Sequence, residues 1–75
     1  MDKDELSAAY ANCLEVREKM RLALKVCQCP EKRYAIMAVG VAARSLCQHV
    51  DRGGALHEPS YETIMLRAEI LAEGL

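Results

Sequence analysis

Tryptophan and phenylalanine are missing from this 75-residue chain, and three tyrosines are its only aromatic residues. Any core must therefore be built from aliphatic side chains, alanine and sulfur. Two prolines and four glycines leave few places to turn, which excludes a turn-rich β architecture and favours a few long helices. Neither sign of charge dominates: ten Lys and Arg stand against eleven Asp and Glu, for a net charge of -1. General nucleic-acid binding needs a basic face to neutralise phosphates, and the totals do not provide one. The longest uncharged apolar run, residues 34–43, would make about 15 Å of helix, half of what a bilayer core requires. The start, Met1-Asp-Lys-Asp-Glu5, is acidic where a secretory signal would be basic and then apolar. The expectation is a cytoplasmic chain whose four cysteines are reduced thiols.

What is present is helical pattern. Asp2 and Asp4 are candidate N-caps, and the acidic cluster suits the positive end of a helix dipole. Leu6, Ala9, Cys13, Val16, Met20, Ala23 and Cys27 then recur at alternating steps of three and four, the seam of a packed helix. This predicts a first helix over 4–28. Cys29-Pro30-Glu31 breaks it, because proline removes an amide donor yet fits a first helical turn. A second helix is predicted over 30–51, with Ile36, Val39, Ala43, Leu46 and Val50 as its seam and Gly53-Gly54 as its stop. A third is predicted over 59–73, with Tyr61, Ile64, Ala68, Leu71 and Leu75 on one stripe and Gly74 at its end. The fold class expected is all-α, a single small domain: an antiparallel helical hairpin with a third, C-terminal helix.

The short break at Pro30 makes the first two helices neighbours. Facing residues then have numbers summing to roughly 60, so Met20 falls near Gly40, Val16 near Ala43 and Cys13 near Cys47. Large meets small along this seam, and Gly40 is expected to allow close backbone approach, so that Gly40→Leu would separate the helices. The run 34–43 is apolar around its circumference and is expected to be covered on more than one side, by the third helix or by another chain.

No catalytic constellation emerges. Ser45 and His49 share a helix face, but no orienting acid or oxyanion donor accompanies them. His57 lies beside Glu58 in a predicted loop. Cys27, Cys29, Cys47 and His49 have the residue types of a zinc site. Hairpin geometry nevertheless places Cys47 about 25 Å along the second helix from the first two. The expectation is a non-enzymatic protein with no cofactor and no metal ligands; the alternative is a zinc or redox sensor using Cys13, Cys27, Cys29, Cys47 and His49. A DNA-binding helix-turn-helix protein fits three short helices, but the third carries only Arg67 against Glu62, Glu69 and Glu73. The protein-binding expectation rests on Arg17, Arg21 and Lys25, spaced by four to steer an acidic partner. Exposed parts of the seams at Met20, Ile36, Val39, Gly40 and Ala43 would supply the apolar contact. The partner is another protein chain, whether a different protein or a second copy.

Leu22-Ala-Leu-Lys-Val-Cys27, Cys29-Pro-Glu31, Tyr34 and Ala42-Ala-Arg-Ser-Leu46 resemble the small co-chaperones of bacterial type III secretion needle subunits. The resemblance covers residues 9–50 and lies in architecture more than in motif. It implies a short helical hairpin that pairs with a larger helical-repeat chaperone, the two together keeping the needle subunit from polymerising in the cytoplasm. The chain departs from that family after the hairpin, where residues 58–75 read as a further helix and the family usually ends.

Overall fold

Asp2 opens the first helix as its pattern requires: its Oδ1 accepts the Glu5 amide at 2.8 Å, satisfying one of the amides that a helix start leaves without a partner. In the computed structural model, which describes residues 2–73, the chain is all-α. Helix α1 spans Lys3–Val26, α2 spans Pro30–Asp51 and α3 spans Glu58–Glu73. The predicted roles of Gly74 and Leu75 lie outside the described residues. Helix α1 ends two residues before the predicted limit, because Cys27 and Cys29 are both extended and the residue before a proline disfavours helix. Helix α2 ends at the glycines. Gly53, at φ 86°, donates to the Val50 carbonyl, and Gly54 donates to that of His49, the paired bonds of a Schellman stop. Helix α3 begins one residue early because His57 caps it: its Nδ1 lies 2.6 Å from Ser60 Oγ and accepts the Ser60 amide.

Helices α1 and α2 form an antiparallel pair in the anticipated register. A Cβ built on Gly40 would sit 3.5 Å from Met20 Cβ, and the buried Cys13 and Cys47 thiols are neighbours. Tyr10 donates to Asp51 at 3.1 Å at the open end of the pair. At the turn, the Arg33 guanidinium donates to the carbonyls of Leu24 and Cys27. These are C-terminal carbonyls of α1 without helical partners, so Arg33 closes the turn and neutralises the negative end of the α1 dipole. Its charge belongs to the fold rather than to a basic surface.

Helix α3 lies along one side of the pair, inserting Ile64 and Ala68 into the common core, while Asn12 donates to Tyr61 at 2.8 Å. The core is lined by Val16, Met20, Ile36, Val39, Leu46 and Ile64, with Ala and Cys filling every other buried position. Small residues let the helix axes approach and reduce the apolar area that folding can bury. The long dimension, 39 Å, is close to the length of α1 itself at about 1.5 Å per residue.

Two expectations change. The run 34–43 is not covered around its circumference: Ile36, Val39 and Ala43 are buried, whereas Tyr34, Met37 and Val41 are 77%, 52% and 61% exposed. Helix α3 reaches only one flank of α2, and the opposite flank has no third helix. Gly40 is also less constrained than close approach would require, since 3.5 Å is ordinary van der Waals contact. A methyl group fits there, and a longer side chain has the open flank to enter. Gly40→Leu is therefore not expected to force the helices apart.

Two substitutions test this account. Gly40→Ala should raise stability by up to about 1 kcal/mol, because it removes the glycine helix penalty without a clash; a loss in urea denaturation would restore the close-approach requirement. Arg33→Ala should cost about 1–2 kcal/mol by leaving two carbonyls without their charged donor, with Arg33→Lys intermediate. An unchanged midpoint for Arg33→Ala would show that water replaces the guanidinium.

Candidate protein-binding surface

Two helices packed side by side create two grooves, one on each flank. Helix α3 occupies the first. The second is lined by Arg17, Met20, Arg21, Leu24, Ile36, Met37, Gly40, Val41 and Arg44. It is an open depression of about 370 Å³. Met20 and Ile36, both fully buried, form its floor at the level of the helix seam. Leu24 from α1 and Met37 and Val41 from α2 form its walls, placed there by helical periodicity one or two positions off the seam. Arg17, Arg21 and Arg44 stand at the rim. No carboxylate lines it.

The charges at this rim differ in their freedom. Arg21 forms a two-point pair with Glu18 one turn earlier. That hydrogen bonding holds the Glu18 carboxyl below its ordinary range and the Arg21 guanidinium above its own. Both groups are exposed, so the pair is worth little to stability. Arg17 and Arg44 make no ion pair among the described residues. Since an antiparallel register places residue 17 opposite residues 43 and 44, these two arginines face each other across the groove at the end away from the turn.

The structure sorts the residues singled out by sequence. Arg17, Arg21, Met20, Ile36 and Gly40 meet at this groove. Lys25 is exposed but stands outside its lining, on the back of α1. Ala43 is sealed between α1 and α2, and Val39 is buried on the flank facing α3, so neither offers a contact to another chain. The seams are interior, and the accessible apolar contacts are Leu24, Met37 and Val41 beside them. Sequence reasoning missed those three and Arg44. Their signal was positional: each lies one helical step off the seam, on the flank that α3 leaves open.

A second groove, about 600 Å³, runs between α2 and α3 and brings His49, His57, Ser45, Ser60 and Arg67 around Val39, Leu46 and Ile64. The His57 ring is engaged in capping α3, and the His49 ring packs over Gly54, where a Cβ would collide with it. Both imidazoles thus serve the connection between the helices. Cys27 and Cys29 sit at the turn, with Cys27 Sγ 3.9 Å from the Cys29 carbonyl, while Cys47 faces Cys13. The residue types of a zinc site are present without being gathered, and the described residues contain no group of three or more His, Cys, Asp or Glu able to hold a metal ion. Nor is any described helix long and apolar enough to cross a membrane.

Comparison with protein-family models, with curated proteins and with solved structures finds no match to this chain. The functional reading therefore rests on the chain's own surface and chemistry.

The thiols give a direct check of the packing. All four are unbridged, and burial, followed by the neighbouring Cys47, pushes the Cys13 thiol up from 9.0 to about 11. The thiolate is the reactive form, so alkylation of the native chain near pH 8 should modify exposed Cys29 first. Cys13, Cys27 and Cys47 should react only through unfolding. A raised folded pKa contributes stability that is fully present below the unfolded value and is lost as pH rises through about 11. The urea midpoint should accordingly fall between those values, and Cys13→Ala should flatten that fall. Rapid native alkylation of Cys13 would contradict the buried pair.

Proposed function

We propose that this protein is a small non-enzymatic helical adaptor or chaperone that works by covering its open apolar surface with another protein chain. One observation carries this reading. Among the described residues, eight large apolar side chains are exposed (Leu14, Leu22, Val26, Tyr34, Met37, Val41, Leu66 and Ile70), beside six that are buried (Val16, Met20, Ile36, Val39, Leu46 and Ile64) and six that pack partly buried against the core (Tyr10, Leu24, Leu56, Tyr61, Met65 and Leu71). Single exposed hydrophobes are ordinary, but a cluster on one flank marks a contact site. Met37 and Val41 are exposed together on one helix, and the groove they line with Leu24 is walled by apolar groups. Helix-in-groove recognition is the mode that such a surface suits.

The finer reading is a cytoplasmic co-chaperone of a type III secretion needle subunit, acting in a complex with a larger helical-repeat chaperone. Its support is the resemblance of residues 9–50 to that family, together with the hairpin's small-residue seam and open flank. Helix α3, the departure from that family, lies on the opposite flank and leaves this surface accessible.

Native mass spectrometry of the protein captured from its own cells at normal expression tests both levels. The expected result is a stoichiometric complex with a second polypeptide, and a helical-repeat chaperone or a needle subunit in it would support the finer reading. A monomer or self-dimer throughout would sink the adaptor reading. A heteromer without secretion components would remove only the finer one.

A further inference from the structure

We infer that the groove between α1 and α2 on the flank opposite α3 receives an amphipathic helix of another protein whose apolar stripe is bordered by Asp and Glu. The inference deepens the protein-binding reading and rests on it. Three features specify the occupant.

The first is shape. The floor and walls belong to two helices whose backbone groups are already paired, so no sheet edge is offered to an extended peptide. On the other flank, the chain itself demonstrates what fits: α3 lies along the pair and inserts Ile64 and Ala68, four residues apart. A helix presenting apolar residues at steps of three and four would meet Leu24, Met37 and Val41 in the same way.

The second is charge. Every ionisable group that lines the groove is an arginine. Arg17 and Arg44 oppose each other at one end, and neither has a carboxylate of its own among the described residues. Guanidinium pairs carboxylate through two parallel hydrogen bonds, so acidic residues edging the incoming helix would be held from both sides. A basic helix would meet like charge on both rims, which selects against it. The end nearer the turn, at Leu24 and Met37, is apolar. The acidic border is therefore needed chiefly toward the Arg17 and Arg44 end.

The third is what a second copy offers. The outer face of α3 exposes Leu66 and Ile70 among Glu62, Glu69 and Glu73, which has the right character and spans about one turn, as does the Met37 to Val41 wall of the groove. The two surfaces lie on opposite flanks, however, so self-docking would run head to tail without closing into a two-fold dimer.

The test is an unbiased selection. A displayed library of random 18-residue helical peptides is panned against the full-length chain, and enriched sequences are synthesised and measured by fluorescence anisotropy. The expected binders combine an apolar stripe at three- and four-residue steps with acidic flanks. Their affinity should fall about tenfold or more on combined Arg17→Glu and Arg44→Glu substitution, and it should be abolished by Val41→Glu. All three substituted positions are exposed, and circular-dichroism melting verifies that the variants remain folded. Binders without acidic enrichment, or binders equally tight to the charge-reversed variant, would overturn the chemistry proposed. Failure to enrich any binder would overturn it as well. Concentration-dependent self-assembly in ultracentrifugation that Val41→Glu disperses would assign the groove to a second copy and overturn the heteromeric occupant. A complex from cells that survives Val41→Glu would reject this groove while leaving the adaptor reading intact.

Discussion

Cys13 against Cys47, with Ala43 sealed beside them, sets the distance between α1 and α2, and the rest of the structure depends on that distance. Small side chains at facing positions let the two helices approach. Close approach in turn makes the grooves beside the seam shallow enough for a third helix to reach the core. Helix α3 can contribute Ile64 and Ala68 to the same cluster only because the seam is thin. Bulkier residues at positions 13, 43 and 47 would widen the pair and lift α3 away from its floor.

The same constraint explains why so much apolar surface is left outside. A seam in which Ala and Cys alternate with Val, Met, Ile and Leu buries less area per residue than a fully bulky one, and the area removed from water is what drives folding. Ile36, Val39 and Leu46 fill the buried face of α2, whereas Tyr34, Met37 and Val41 stand outside it, and one flank has no intramolecular cover. Specific polar contacts then fix what the thin core does not: Arg33 at the turn, Tyr10 with Asp51 at the open end, and Asn12 with Tyr61 toward α3. These bonds determine register and helix placement more than they add net stability, because water competes for each of them.

Much of this was written plainly in the sequence. Asp2, Pro30 and Gly53 mark helix boundaries through local chemistry, and the three-four repeat of α1 gives the antiparallel register once the connection is known to be short. The side on which α3 docks was not legible. Residues 34–43 are apolar all round, so periodicity does not distinguish a covered flank from an open one, and the α3 stripe reports what it buries without naming its neighbour. For the same reason the seam residues Val39 and Ala43 read as contact candidates although they are interior, and Met37 and Val41 were not singled out. The role of Arg33 was not legible either, because its carbonyl partners belong to the preceding helix and meet it only across the folded turn. Arg44 carries no sequence signal of its own; its role depends on facing Arg17.

A thin core and an open groove have a common thermodynamic consequence. An occupant that binds the folded chain and not the unfolded one adds its binding free energy to stability, by RT ln(1 + [L]/Kd). For a chain of 75 residues, near the size at which a single core suffices, that addition is comparable to the stability the core itself provides. The groove and the seam are then not separate assets. Enlarging the seam would make the chain independent of its occupant, but it would also spread the helices that form the groove. Retaining Cys and Ala along the seam keeps Arg17 and Arg44 within reach of the same bound helix, and leaves Met37 and Val41 to be covered by it.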